Sequence, residues 1–363
     1  MSRALARKPD IELHLVTESQ LVPRTQTVQK DNIHYHVVRS AAPFTQRGFP
    51  SWLPIEPLLN FWPNSIRLNR VLKQIQPDIV HAHGTEAAYG RAALDSGKPC
   101  LISLQGIIAE IQKSSPELWF RLVEPCERKQ VQSCRYFTCR TDFDSTFVRR
   151  LNPTAHIFQI QEAMNPVFFT NEWQPDAAPS LLFIGAVCER KGVSDLIEAL
   201  PEIVAQCGPV RLIIVGAAGP DYLARVKARA ETLGVASLIE FAGQKTATEI
   251  AALHKRCRAF VLPTHVDNSP NTLAEAMVSG MPVLASRVGG IPSMIEEGVT
   301  GLLFEKEDVR ALALALCRVL KETDFSQRLA SQAKEVARSR HHPDSVANHT
   351  IAAYQHILAQ ERK

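Results

Sequence analysis

Short apolar runs alternate with amphipathic stretches along nearly the whole chain. In the first half, Arg3 to Lys8 reads as the tail of a helix. Ile11 to Thr17 (IELHLVT) and Asn32 to Arg39 (NIHYHVVR) alternate in the manner of strands. Ser65 to Ile75 has helical spacing and is stopped by Pro77. Asp78 to His83 (DIVHAH) follows as a short buried strand, then a helix over Ala87 to Leu94, an apolar strand over Pro99 to Leu104, and another over Tyr136 to Thr138. In the second half the same rhythm returns. Leu181 to Gly185 (LLFIG), Arg211 to Gly216 (RLIIVG), Leu238 to Gly243 (LIEFAG), Ala259 to Pro263 (AFVLP) and Pro282 to Ser286 read as strands. Helical stretches at Val193 to Val204, Asp221 to Leu233 and Thr246 to Arg256 separate the first four.

This alternation predicts an α/β protein with two doubly wound parallel sheets. The polar, Pro-containing stretch Trp173 to Ser180 marks a boundary between domains spanning 1–174 and 175–340. A polar break at His341 and a last helix over 341–363 suggest a return to the first domain. In such sheets ligands bind beyond the carboxyl ends of the strands. That edge would carry His81, His83, Gly84, Gln105 and Gly106 in the first half. Arg140 also ends a strand there, and can clamp an anion or pair with Asp144.

One stretch carries more chemistry than the rest. Val266 to Ser286 reads as a loop, a short helix, a stop and a buried strand. Ser269 suits the N-cap and Pro270 the first helical position. Gly280 suits the left-handed residue that ends the helix. Leu273, Ala276, Met277 and Gly280 share the inward face, and Glu275 is off it. A bare helix N-terminus favours an anion such as phosphate. Glu275 and Asp267 would then accept hydrogen bonds from sugar hydroxyls. A ligand with both features is a nucleotide-sugar; the plainer alternative is a capped helix with a solvated Glu. Arg190 and Lys191 follow the first strand of the same sheet. There they either neutralise a diphosphate or form an exposed turn.

Composition narrows the choice. The chain has 363 residues, 45% apolar and 21% charged, with a net charge of +4. That charge is too small for a nucleic-acid binder driven by charge. The eight cysteines form no C-x-x-C pair, so neither a zinc site nor a disulfide framework is expected, and the expected compartment is the reducing cytoplasm. Met1 to Asp10 is polar and basic, unlike a signal peptide. Ala42 to Trp62 is rich in Phe and Trp, with Arg47 among Phe44, Phe49, Trp52, Phe61 and Trp62. It is either an acceptor-binding or membrane-facing surface or a loop folded on its own domain, and it allows peripheral contact with the inner face of a membrane.

Several segments also resemble a known family in order: F-I-G-x5-K-G from Phe183, LIIVGAAG, EFAG, VLPTHVDNSPNTLAEAMVSGMPVLAS and GGIPSMIEEGVTGLLF. They are similar to the donor domain of glycosyltransferase family 4, retaining enzymes of the GT-B fold. The resemblance implies two facing Rossmann-like domains with a cleft between them, the second binding a nucleotide-sugar. It implies transfer of a hexose, from a UDP-sugar by expectation, to a saccharide or lipid-linked acceptor in bacterial surface or exopolysaccharide synthesis. It also implies no metal and no cofactor. Lys191 would hold the diphosphate with Arg190, and Gly185 would lie against the donor. Asp267 would contact the donor sugar and Glu275 the ribose. Asn268, Ser269, Asn271 and Thr272 would offer amides, and Phe241, Gly243 and Lys245 would flank the base. Three departures stand out. Ala186 replaces a usual Arg, Gln105 replaces a cleft His, and the first strand of the N-terminal domain is missing. They keep open an alternative, a non-catalytic nucleotide-sugar-binding or assembly subunit.

Overall fold

The computed structural model describes residues 1–40, 53–114 and 116–362. Phe44, Arg47, Phe49 and Trp52 lie outside the described residues. The chain forms two compact units, one of Met1–Gln161 with Asp344–Lys363, the other of Glu162–Pro343. The break therefore falls before Glu162 rather than after 174. Burial explains the shift: Met164 and Phe168 belong to the core of the second unit. Trp173 Nε1 donates to the Cys257 carbonyl at 2.8 Å. The Pro-containing stretch has the composition of a linker, but the chain has already joined the second core.

In the first unit, β1 (Leu13–Ser19), β2 (Gln26–Lys30) and β3 (Ile33–Arg39) form one sheet. β1 runs parallel to β3, and β2 antiparallel to it. A second sheet is β4 (Val80–His83), β5 (Cys100–Ser103), β6 (Tyr136–Cys139) and β7 (His156–Gln159), all parallel. Between the two sheets lies a cavity of about 330 Å³, walled by Leu15 and Val16 of β1, Val80 and Ala82 of β4, and Leu68 and Leu72 of helix Trp62–Ile75.

The final helix, Pro343–Glu361, packs on this first unit. Asp344 accepts from Arg7 Nη2 at 2.5 Å. Tyr354 Oη lies 2.8 Å from His81 Nδ1, and the other ring nitrogen of His81 lies 2.6 Å from Ser103 Oγ. His81 is thus an internal strut, not the ligand-edge residue that its sequence position predicts. Burial holds its pKa well below the usual range, because a charged imidazole there would lose its hydration. Tyr354→Phe strips one partner from a buried ring nitrogen. It should destabilise the protein by about 1–2 kcal/mol, read as a lower denaturant midpoint at unchanged slope.

The second unit is one sheet of six parallel strands. These are β8 (Ser180–Ile184), β9 (Arg211–Val215), β10 (Ile239–Gly243), β11 (Ala259–Leu262), β12 (Val283–Ser286) and β13 (Leu302–Phe304), in the order β10-β9-β8-β11-β12-β13. β8, β11 and β12 are buried at every residue. This is why they read as unbroken apolar runs: helices cover both faces of such a sheet. From β8 the chain moves outward through β9 and β10, then returns to the other side of β8 for β11. Neighbouring β8 and β11 therefore send their following loops to opposite sides and open a crevice at their carboxyl ends.

Candidate active site

The two loops that leave this switch point carry the predicted charges. After β8 a short turn, Glu189–Lys191, ends at Gly192. After β11 the chain passes Pro263 and Thr264 into the loop that holds Asp267. Lys191 Nζ and Asp267 Oδ2 form an ion pair across the crevice, both side chains only 14% exposed. The same loops are stitched by backbone. The His265 amide donates to the Arg190 carbonyl at 2.8 Å, and Arg190 Nη1 donates to the Val266 carbonyl at 3.3 Å. Arg190 thus braces the β11 loop.

Gly192 has φ of +66°, and a Cβ there would lie 1.8 Å from the Pro263 carbonyl oxygen. No side chain fits without moving backbone. Gly192→Ala should cost on the order of 1–3 kcal/mol of stability and displace Lys191 from Asp267. A thermal melt and a ligand-binding assay would both register the change. Gly289 has the same relation to the Asp267 carbonyl, at 1.9 Å. The Gly290 amide donates to that oxygen at 3.1 Å, so Asp267 is held from both flanks.

Helix Asn271–Ser279 begins four residues after Asp267. Its N-cap is Pro270, in extended conformation, not Ser269 as the sequence predicts. The reason is visible in the bonding. The Leu273 and Ala274 amides both return to the Pro270 carbonyl, so Pro270 is the half-helical residue. Ser269 Oγ instead lies 3.8 Å from Met294 Sδ, and Pro270 itself makes no side-chain cap. The end is as predicted, with Gly280 left-handed at φ of 77°. Leu273, Ala276 and Met277 are fully buried, and Asn268 and Ser269 nearly so. Asn271, Thr272 and Glu275 remain on the accessible side, at the three- and four-residue spacings that share a helix face.

Glu275 stands out electrostatically. Burial pushes its carboxyl up to about 7, and no described residue pairs with it to offset that burial. It stands one turn along the same helix from Asn271 and Thr272.

The remaining predicted residues fall into two groups. Gly185 follows β8 directly, with Lys191 Cδ 3.9 Å from where its Cβ would be. Phe241 and Gly243 end β10, and Lys245 follows, paired to Glu249 at 3.4 Å. Lys227 lies over the Phe241 ring at 5.5 Å. Gln105 and Arg140 belong to the first unit. Arg140 donates to Gln105 Oε1, and Gln105 Nε2 lies 3.3 Å from His83 Nδ1. Asp144 caps the following helix. It accepts from the Arg140 and Thr141 amides at 2.9 Å each.

Sequence reading missed one pair. His265 Nε2 lies 2.8 Å from Asp195 Oδ2, and that bond raises the imidazole pKa, outweighing burial. It ties the β11 loop to helix Val193–Cys207. Nothing local marks it, because the partners stand 70 residues apart.

Comparison with known proteins identifies the family and the fold. Residues 169–336 match the family described as glycosyl transferases group 1, and residues 1–161 match glycosyltransferase family 4. The GDP-mannose-dependent alpha-(1-6)-phosphatidylinositol monomannoside mannosyltransferase of Mycobacterium tuberculosis is 26% identical over 224 residues, covering 56% of this chain and 57% of that protein. The chain spans about half the length of the first curated relatives it matches. Among solved structures, sucrose-phosphate synthase from Thermosynechococcus elongatus superposes with a TM-score of 0.84 at 18% identity, covering 99% of this chain and 92% of that one. Anabaena HepE in complex with UDP and glucose gives 0.65 at 19% identity, covering 92% and 87%. Fold and matches together define a glycosyltransferase of the GT-B type. The chain belongs to glycosyltransferase family 4.

Proposed function

We propose that the protein is a retaining glycosyltransferase that moves a hexose from a UDP-sugar to a saccharide or lipid-linked acceptor, in bacterial surface or exopolysaccharide synthesis. The observation that carries the donor site is Glu275, desolvated and unpartnered on the helix that follows the loop of the Lys191–Asp267 pair. In this reading the diphosphate takes Lys191 from Asp267 and sits on the amides of Asn271 and Thr272. Asp267, released, turns to the hydroxyls of the donor sugar. Glu275 accepts from the ribose hydroxyls, and Phe241 and Lys245 flank the base.

As the glycosidic bond breaks, negative charge grows on the leaving diphosphate. Lys191, braced by the Arg190 loop, and the helix amides are fixed beforehand where that charge appears. The reaction then needs no metal and no cofactor. The leaving oxygen takes the acceptor proton on the same face, which keeps the anomeric configuration. The complex of HepE with UDP and glucose supports the choice of nucleotide. The mycobacterial relative is GDP-mannose-dependent, so the base is the first thing to test.

In the first unit Leu58, Leu59, Trp62 and Leu118 expose apolar side chains. Phe61 and Trp119, next to two of them, meet edge to face with centroids 6.4 Å apart. That surface would meet a lipid-linked acceptor at the inner face of a membrane. No helix among the described residues is long and apolar enough to cross one.

The deciding experiment is a thermal-shift screen of UDP-, GDP- and ADP-sugars, followed by nucleotide release on the winner. Selective binding to the folded state must raise the melting temperature, by about 2.7 kcal/mol of stability at a hundred times Kd. A UDP-sugar should win. No shift from any nucleotide-sugar with a folded protein overturns the donor site, and a shift without turnover overturns the enzyme.

A further inference from the structure

The three-stranded sheet of the first unit carries a cluster that the donor site does not use. Glu12 immediately precedes β1, His14 lies on β1, and His34 lies opposite His14 on β3. Alternate residues of an extended chain share a face, so the three side chains meet on one side of the sheet. The His14 and His34 rings stack with centroids 4.6 Å apart and planes within 14°. Glu12 Oε1 lies 3.1 Å from His14 Nε2 and 3.6 Å from His34 Nε2. One ligand atom from each residue falls within 4.8 Å of the other two. Tetrahedral zinc with bonds of about 2.0–2.1 Å has ligand-to-ligand edges of about 3.4 Å. Two edges of this triangle bracket that value; the stacked rings run nearly parallel, so one imidazole must turn about its side-chain torsions for both lone pairs to meet a single ion.

The ring behind is also held. His14 Nδ1 lies 3.0 Å from His36 Nε2, and His36 Nδ1 lies 3.0 Å from Thr27 Oγ1. With the protons running from His14 through His36 to Thr27, His14 Nε2 presents a lone pair to the Glu12 carboxylate. Two electron-rich atoms at that separation call for a cation between them. An outer partner on the second ring nitrogen is also what orients a metal-bound histidine. With the protons running the other way, His14 Nε2–H donates to Glu12 and no ion is needed. The side chains of His14 and His34 are partly exposed, and that of Glu12 is mostly exposed, so an ion can enter and keep a water as its fourth ligand.

We propose that Glu12, His14 and His34 form a zinc-binding site that clamps β1 to β3. Two imidazoles and one carboxylate suit zinc, which accepts such mixed sets without a strict geometric demand. The site is independent of the donor reading and stands or falls by itself.

The test uses the full chain, without a histidine tag and freed of metal by chelation, titrated with Zn²⁺ at neutral pH by calorimetry and thermal shift. The expected result is one ion per chain and a higher melting temperature. His34→Ala and Glu12→Gln should each weaken binding at least ten-fold. His356→Ala should leave it unchanged, although His356 stacks on His156 at 4.7 Å. Cobalt in the same site should show the intense visible bands of a four-coordinate ion. The site is refuted by folded wild-type protein that takes up no zinc at millimolar concentration. It is equally refuted by binding that survives His34→Ala, or by binding that His356→Ala removes. Glu12 is mostly exposed, so Glu12→Gln keeps the test valid should the histidine variant fail to fold.

Discussion

Lys191→Ala is expected to lower kcat/KM by about 10²–10³-fold, the usual loss when one fixed charge-stabilising donor is removed from a developing anion. The readout is nucleotide release from the donor that the thermal screen selects. The same change strands Asp267, which is largely buried and paired to Lys191. Removing one partner of a buried pair costs about 3–5 kcal/mol; less is expected here, because both side chains keep some exposure. Lys191→Met with Asp267→Asn separates the two effects. With both charges gone, stability should return and activity should not. A double variant that regains turnover would make the pair a structural strut.

Glu275→Gln should move stability and binding in opposite directions. The Glu275 carboxyl titrates at about 7 in the folded protein, against an ordinary value of 4.5. Between those values the folded state holds a proton that the unfolded chain has lost, so this group makes stability fall as pH rises through that window. Above pH 7 the folded protein carries a desolvated charge. Gln removes it and should stabilise the ligand-free protein by about 2–3 kcal/mol at pH 8, since each pH unit between the two titrations is worth ~1.4 kcal/mol. Donor affinity should fall ten-fold or more, because an amide replaces the ionised acceptor. In the wild type, affinity should rise between about pH 6 and 8 as Glu275 ionises, and this rise should vanish in Glu275→Gln. Isothermal titration across that range decides it. A variant that binds the donor as before would remove Glu275 from the site.

Much of the second unit was legible because its central strands are buried on both faces. Runs such as LLFI, RLIIV and AFVL appear where predicted. Gly280 was likewise readable, since it is settled by the residues around it. The first unit was less transparent. β2 is exposed throughout and shows no apolar alternation. Helix Leu118–Ser133 contains Pro125, which argues against a helix on local grounds. Tertiary packing overrides that penalty, with Val123, Cys126 and Val131 fully or nearly fully buried.

By itself the sequence determined the alternation of elements, the two-domain plan, the helix at Asn271–Ser279 and the residue types able to hold a diphosphate. These follow from periodicity and capping, which act over a few residues. Which groups meet was decided by the tertiary structure. Lys191 finds Asp267 across 76 positions because β8 and β11 are neighbours at the point where strand order reverses. His265 reaches Asp195, and His14 stacks on His34, only through a register that no local pattern encodes. Burial is likewise a property of the assembled fold. It turned Glu275 from an ordinary acid into one that titrates near neutrality, because desolvation disfavours the charged form.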